Sequence, residues 1–490
     1  MVNSMEEQKN IKSKIFSGFI WRFGERITAQ LVSLLVSIVL ARLLSPEHYG
    51  AVALVMVFIN IANVFVSNGL GNSLIQKKDA DSVDFSSIFY INVLMSLILY
   101  GILFLIAPLI GEFYGMPELC LVLRVLGIRI PVAAINSIQH AYVSRHMLFK
   151  RFFWSTLFGT VLSGVVGIFL AYKGFGIWAL VAQYLTNTCT DTVVLWFTVK
   201  WRPTKEFSLS RSRQMVSYGW KILVSGLLDT GYSELRNLII GKLYTSADLA
   251  YYNQADKYPK LIVNNVNTSI GSVIFPVMSQ SQDNPEKIKQ MTRKAIQISS
   301  FLIWPIMVGL AAVSRPLVSV VLTDKWISCV PYMQIFCFSY GLWPIHTANL
   351  QAIKAMGRSD LFLRMEVIKK IMGCVLLIVS LPFGPFAIAV SLLISGVLST
   401  FINAYPNRAL LNYNYREQLR DLLPSLGLSL IMAIVISQLE RINVSDILLL
   451  AIQVICGALI YVVLSIITKQ AALVYLVDIL KKKKSQKKNK

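Results

Sequence analysis

Arg22, Glu25 and Arg26 stand at spacings of three and four within the apolar stretch Phe16–Gly50, so a helix carries all three on one face. A single charge at the centre of a membrane helix costs roughly 2.5 to 3.5 kcal/mol on insertion scales, and three need pairing, water or an anionic partner. Counted from Phe16 at about 1.5 Å per residue, Arg26 lies about 15 Å along, near the middle of a ~30 Å hydrocarbon core. At that depth the side chain cannot snorkel out. A second polar stripe runs Lys221, Ser225, Asp229, Ser233, Arg236 and Asn237, with Glu234 beside it. A third follows in Asn253, Asp256, Lys257, Lys260, Asn264 and Asn267. Arg124 and Arg129 add cations to the fourth apolar window, Asp191 falls in the sixth, and Glu366, Lys369 and Lys370 fall in the eleventh.

Cations outnumber carboxylates in this set, and that decides the chemistry expected of it. An excess of arginine and lysine suits a phosphate or diphosphate, whereas a cavity for cationic compounds should be acidic or aromatic. The candidate binding cations are Arg22, Arg26, Arg124, Arg129, Lys221, Arg236, Lys257 and Lys260. Glu25, Asp229, Glu234 and Asp256 either pair with them or bind a coupling ion; sodium, a proton and the membrane potential all stay open as the driving force. No cofactor, metal set or catalytic group is assigned, since there is no P-loop, paired-carboxylate site or Ser-His-Asp set. The histidines His48, His140, His146 and His346 read as interfacial or packing residues.

These side chains have to be positioned within a bilayer. The chain has 490 residues, 55% hydrophobic and only 15% charged, against about 25% charged in soluble domains. Apolar windows recur end to end and give about fourteen spans of an all-α polytopic membrane protein. The windows at 118–143, 249–275 and 330–354 are interrupted by polar residues, and Pro108, Pro131, Pro259, Pro305 and Pro344 fall inside windows, where they mark kinks. The net charge of +22 needs no nucleic acid, because basic residues collect in alternate loops, which places both termini in the cytoplasm. No extramembrane stretch is long enough for a domain of its own. The tail Lys481–Lys490 is a solvated basic segment drawn to anionic headgroups. Six cysteines without C-x-x-C spacing read as buried thiols.

Shifting the sequence by 200 residues lays Ala41-Arg42-Leu43-Leu44-Ser45 over Gly241-Lys242-Leu243-Tyr244-Thr245, and Gly69–Ile75 over Ser269–Phe275. Such an echo is the trace of a duplicated unit of six spans. It divides the chain into a first lobe at 1–212, a second at 213–412, two further spans at 413–468 and the basic tail at 469–490. The two lobes are then parallel repeats, with substrate lying between them.

The run ARLLSPEHYGAVALVMVFINIANVFVSNGLGNSLIQKKD (Ala41–Asp79), followed by FPVMSQSQDN (Phe275–Asn284), resembles the polysaccharide transporter branch of the multidrug/oligosaccharidyl-lipid/polysaccharide exporter superfamily. That branch includes Wzx-type flippases for O-antigen, lipopolysaccharide, capsule and exopolysaccharide. The resemblance implies two six-helix lobes around a cationic cavity, with two extra C-terminal spans forming a lateral groove for a lipid tail. It implies transport of an undecaprenyl-diphosphate-linked oligosaccharide across the cytoplasmic (inner) membrane by alternating access. Arg22, Arg26, Lys257 and Lys260 match the family's cavity cations. Partners implied are the lipid-linked oligosaccharide, membrane lipids, and polysaccharide polymerase and chain-length machinery. A cation-coupled drug or metabolite antiporter of the same superfamily is the alternative. A membrane polymerase or ligase fits less well, because no large outer loop is present to hold catalytic residues.

Overall fold

A long apolar run in lipid has no water to satisfy its backbone, so it closes its N–H and C=O groups within a helix. The computed structural model is accordingly helical almost throughout, and it describes residues 2–67, 70–77, 79–475 and 477–478. The basic run 481–490 lies outside the described residues. Two compact units divide the chain, residues 1–250 and 251–490.

The first unit holds α1 (Val2–Leu43), α2 (Pro46–Ser67), α3 (Leu70–Gln76), α4 (Ser82–Tyr114), α5 (Glu118–Gly127), α6 (Arg129–Arg145), α7 (Phe149–Tyr172), α8 (Ile177–Thr198) and α9 (Leu209–Leu243). The helix α10 (Ser246–Ser279) begins in the first unit and runs into the second. The second continues with α11 (Pro285–Ala312), α12 (Ser314–Leu322), α13 (Val330–Gly341), α14 (Trp343–Ala355), α15 (Ser359–Ser380), α16 (Pro385–Leu410), α17 (Tyr415–Gln438) and α18 (Asp446–Ile467). Eight helices, among the described residues, are long and apolar enough to cross a bilayer, so the chain is an all-α polytopic membrane protein.

Among the described residues, three of the expected spans are broken. The window 118–143 is interrupted at Ile128, 293–322 at Val313 and 330–354 at Leu342. Each break falls two or three residues before a proline, Pro131, Pro316 or Pro344. A proline ring lacks the N–H for its own bond and clashes with the carbonyl four residues earlier, so the helix restarts there. Pro108, Pro259 and Pro305 instead lie inside continuous helices.

The 200-residue echo has a structural counterpart. Leu44 N–H bonds the Leu40 carbonyl at 2.8 Å and Tyr244 N–H bonds that of Ile240 at 3.0 Å, each closing a helix one turn before the next begins at Pro46 or Ser246. The α6–α7 and α14–α15 turns each pass through a left-handed residue, Met147 (φ 55°) and Gly357 (φ 72°). Nevertheless α9, which opens the second copy, packs on α2, α3 and α4 of the first unit. In the same unit α7 lies against α1 and α8. A Cβ on Gly164 would stand 2.4 Å from Val36 Cγ2 of α1, so small residues set this close approach, as in other membrane bundles.

The segment 199–208 straps α8 to α9 across the start of α4. Thr204 N–H donates to Ser86 Oγ and Ser208 N–H to Ser87 Oγ, both at 2.9 Å, while Arg211 Nη1 donates to Asp81 Oδ2 at 2.6 Å. Asp81 also caps α4 by accepting the Asp84 N–H at 2.9 Å. That amide, and next the Arg211 guanidinium, hold the Asp81 carboxyl below its ordinary range. Its stabilising share is therefore present above the usual carboxylate pKa of about 4 and lost as pH falls through the depressed value. Asp81→Asn is expected to lower the melting temperature slightly at neutral pH and to melt like the wild type in strong acid. A deficit that persisted in acid would place the effect elsewhere.

Candidate functional site

In the first unit the expected site residues separate by what they touch. Glu25 accepts a hydrogen bond from Thr156 Oγ1 of α7 at 3.2 Å. Arg26, next on α1, is exposed and has no ion-pair partner among the described residues. The side chain of Arg22 lies outside the described residues. Arg124 turns toward α4, where Nε donates to the Phe104 carbonyl at 3.2 Å and the guanidinium lies 4.3 Å from the Phe104 ring centroid. Arg129 is held by neutral groups: Nε donates to Thr188 Oγ1 at 2.9 Å, Nη1 meets Met56 Sδ at 3.2 Å, and the Tyr184 ring centroid is 5.2 Å away. Neutral partners leave its positive charge uncancelled.

On α9 the stripe is divided in the same way. Lys221 and Asp229 are exposed. Glu234 is taken up by amides, accepting from Asn60 Nδ2 at 2.9 Å and Asn237 Nδ2 at 2.8 Å. Arg236 is only 6% exposed, stacks 5.7 Å from the Tyr232 ring, and keeps Nε and Nη2 without hydrogen-bond partners among the described residues. An unsatisfied buried guanidinium is costly, so this position is set for an anion or water to complete.

In the second unit, Asp256 accepts from Tyr340 Oη of α13 and from Lys260 Nζ, the latter at 3.1 Å. Lys260 stays about half exposed (48%) and Lys257 is half-buried beside it. Farther along, α11, α12, α17 and α18 enclose an apolar cavity of about 600 Å³, with Phe301, Pro305, Gly309, Met432, Gly457 and Tyr461 among its lining. Gly309 and Gly457 make room for it: a Cβ on either would touch Met432, at 3.4 and 3.7 Å.

The family model described as "Polysaccharide biosynthesis protein" matches residues 39–331, more than half of the chain. The chain belongs to this family. Among curated members of the polysaccharide biosynthesis group, the succinoglycan biosynthesis transport protein ExoT of Rhizobium meliloti (strain 1021) is 24% identical over 65% of this chain and 65% of its own. The lipopolysaccharide biosynthesis protein WzxC of Escherichia coli (strain K12) is 22% identical over 87% of this chain and 89% of its own. The teichuronic acid biosynthesis protein TuaB of Bacillus subtilis (strain 168) is 22% identical over 72% and 73%. Among solved structures, the inward closed lipid II flippase MurJ superposes with a TM-score of 0.73 at 16% identity, covering 92% of this chain and 98% of that one. An inward-facing multidrug transporter of the MATE family, in the multidrug/oligosaccharidyl-lipid/polysaccharide exporter superfamily, gives 0.64 at 16% identity, with 78% and 94% covered. These likenesses show a fold shared with solved transporters of that superfamily.

This family member also holds polar groups that sequence reasoning did not connect. His140, read as an interfacial or packing residue, sets Nε2 3.1 Å from Asp191 Oδ2, and Asn136 Nδ2 donates to the same oxygen. The i, i+4 spacing of Asn136 and His140 was visible, but the acid lies 51 residues on, in another helix. Arg293 and Asp421, which the sequence reading did not single out, are joined across α11 and α17.

Proposed function

We propose that the chain is a flippase that carries an undecaprenyl-diphosphate-linked oligosaccharide from the cytoplasmic to the outer leaflet by alternating access. Its spans form two six-helix lobes and two additional helices, with both termini in the cytoplasm of the inner membrane. Arg22, Arg26, Lys257 and Lys260, the residues that match the family's cavity cations, bind the diphosphate, while polymerase and chain-length machinery receive the product. The chain is a transport protein and not an enzyme. The apolar cavity bounded by α17 and α18 carries this reading, because a long prenyl chain needs such a trough and a small cationic drug does not. Named relatives that serve succinoglycan, lipopolysaccharide and teichuronic acid synthesis agree with it, as does the fold shared with the lipid II flippase.

A charge-assisted hydrogen bond to phosphate contributes about 1.5–3 kcal/mol, so Arg26→Ala and Lys257→Ala are each expected to lower transport about tenfold or more. The measurement is surface polysaccharide in cells whose membranes hold the wild-type amount of the variant. Normal polysaccharide in both variants would move the binding site away from these residues. If loss of the protein altered drug tolerance and left lipid-linked sugars unaffected, the antiporter alternative would replace the flippase.

A further inference from the structure

Asp191 stands two turns before the end of α8 at Thr198, and His140 just over one turn before the end of α6 at Arg145. Neither serves the diphosphate, yet both fall within expected spans, where an ionisable side chain is rare and marks a pathway or a relay.

Among the described residues the ion-pair partner of Asp191 is His140, Nε2 to Oδ2 at 3.1 Å, and Asn136 Nδ2 donates to the same oxygen. Helix α7 brings the Phe152 ring, stacked 4.7 Å from that of His140, and the buried hydroxyl of Ser155. Other charged side chains of these and the packed helices have other partners: Arg129 meets Thr188 and Met56, Arg145 the Leu74 carbonyl, Arg124 the Phe104 carbonyl, Asp84 meets Lys77, and Glu25 meets Thr156. Arg151, one turn along α7 from Ser155, makes no ion pair among the described residues.

The cluster is short of hydrogens. Asp191 Oδ1 and Asn136 Oδ1 are both buried without hydrogen-bond partners among the described residues, and Asn136 as a whole is 6% exposed. A buried acceptor left without a donor is costly, so the site calls for a ligand that brings a hydrogen. A hard metal cation does not, since it collects oxygen ligands and the amide here presents its N–H to the acid. An ionised carboxylate only accepts, so His140 Nε2 carries its hydrogen and Nδ1 keeps a lone pair. One added proton therefore has two places to go, Nδ1 of His140 or Oδ1 of Asp191, and either takes the pair from one net negative charge to none. The imidazole, 41% exposed against 19% for the acid, is the way in, and histidine is the side chain that ordinarily changes charge between about pH 5 and 8.

We propose that His140 and Asp191 form a proton-binding site that couples transport to proton flux, an inference that rests on the flippase reading. With the proton bound, the pair is neutral and lies between α6 and α8 at low cost. Without it a bare buried carboxylate needs water, which reaches it only when the helices part. Protonation thus biases the two states between which the transporter alternates.

The test uses the full-length protein in liposomes, with undecaprenyl diphosphate carrying a fluorescent disaccharide as probe, a membrane-impermeant quencher to read each leaflet, and the membrane potential clamped at zero. A gradient of about one pH unit is expected to enrich the probe about tenfold in one leaflet at steady state, the factor that one proton per cycle supplies. His140→Gln and Asp191→Asn are expected to bring that ratio to about one, while Asp191→Glu, which keeps the acid, retains it. The steady-state ratio does not depend on rate, so a variant that is only slowed still reaches the wild-type value. His140 is exposed on one side, so His140→Gln keeps the fold and carries the test by itself if Asp191→Asn fails to fold. If the wild type enriches the probe and both variants do so equally, the proton site is overturned while the flippase reading stands. The same holds if the wild type only evens out the two leaflets, or responds to a sodium gradient and not to a proton gradient. If the wild type moves no probe, both fail.

Discussion

Gly50→Ala is expected to melt several degrees below the wild-type protein, and Gly241→Ala close to it, although both exchange a helical glycine for the best helix former. Propensity alone predicts a gain of about 1 kcal/mol at each position. Space reverses the sign at the first. A Cβ on Gly50 would stand 1.7 Å from the Ser246 carbonyl oxygen and 2.4 Å from its carbon. Both are backbone atoms in the turn that opens α10, so no rotamer change relieves the clash, and α2 must move from the α9–α10 turn. At Gly241 the nearest atom is Leu54 Cδ1, at 2.9 Å, and a leucine tip can swing aside. Overpacking against movable side chains costs about 1–3 kcal/mol, and a fixed carbonyl puts Gly50→Ala at or above that range. Thermal melts of the purified protein check the pair. Equal melting of the two variants would mean that the turns do not touch as described. Because Gly50 and Ser246 sit in the two echoed turns, Gly50→Ala is also expected to cut surface polysaccharide more than Gly241→Ala does.

What could be read from the chain alone follows from how local each cause is. Helices follow from apolar length, and their interruptions follow from Pro131 and Pro344, which act on the backbone within four residues. The closing turns at Leu44 and Tyr244 were legible because the same small residue, cation, leucine and capping hydroxyl recur in sequence. Side-chain partners were not. Spacing put Arg22, Glu25 and Arg26 on one face, but could not say that Glu25 bonds Thr156, 131 residues away. It put Arg124 and Arg129 in one window, yet Arg124 lies against a phenylalanine and Arg129 within a neutral cage. A helical period fixes the direction of a side chain about its own axis and leaves open which helix stands opposite.

Arg293→Ala is expected to destabilise the second unit more than Asp421→Ala, although the two side chains form one pair. Asp421 is 7% exposed and accepts from Arg293 Nε at 2.8 Å and Nη2 at 3.0 Å, with Gln297 Nε2 and Tyr413 Oη each at 2.7 Å. This joins α11 to α17, and Lys289 Nζ reinforces it through Glu417 Oε2 at 3.1 Å. Removing the arginine strands a buried carboxylate, a loss of about 3–5 kcal/mol. Removing the aspartate strands a guanidinium that is already 39% exposed and can complete its shell with water, leaving mainly the orphaned Tyr413 and Gln297 donors at about 1–3 kcal/mol. Melting curves of the two variants therefore separate in a fixed order, and the reverse order would mean that the carboxylate is better hydrated than its burial implies. Because α11 and α17 also bound the apolar cavity, the proposed function leads to the expectation that Arg293→Ala weakens undecaprenyl diphosphate binding, whereas Arg358→Ala, at the exposed start of α15, leaves it unchanged. Among the described residues Arg358 pairs with Asp360, and both are about half exposed, a surface pair whose loss costs about 0–1 kcal/mol. The clamp thus links the stability of α17 to the shape of the trough, and a variant that lowers melting temperature while preserving probe binding would uncouple them.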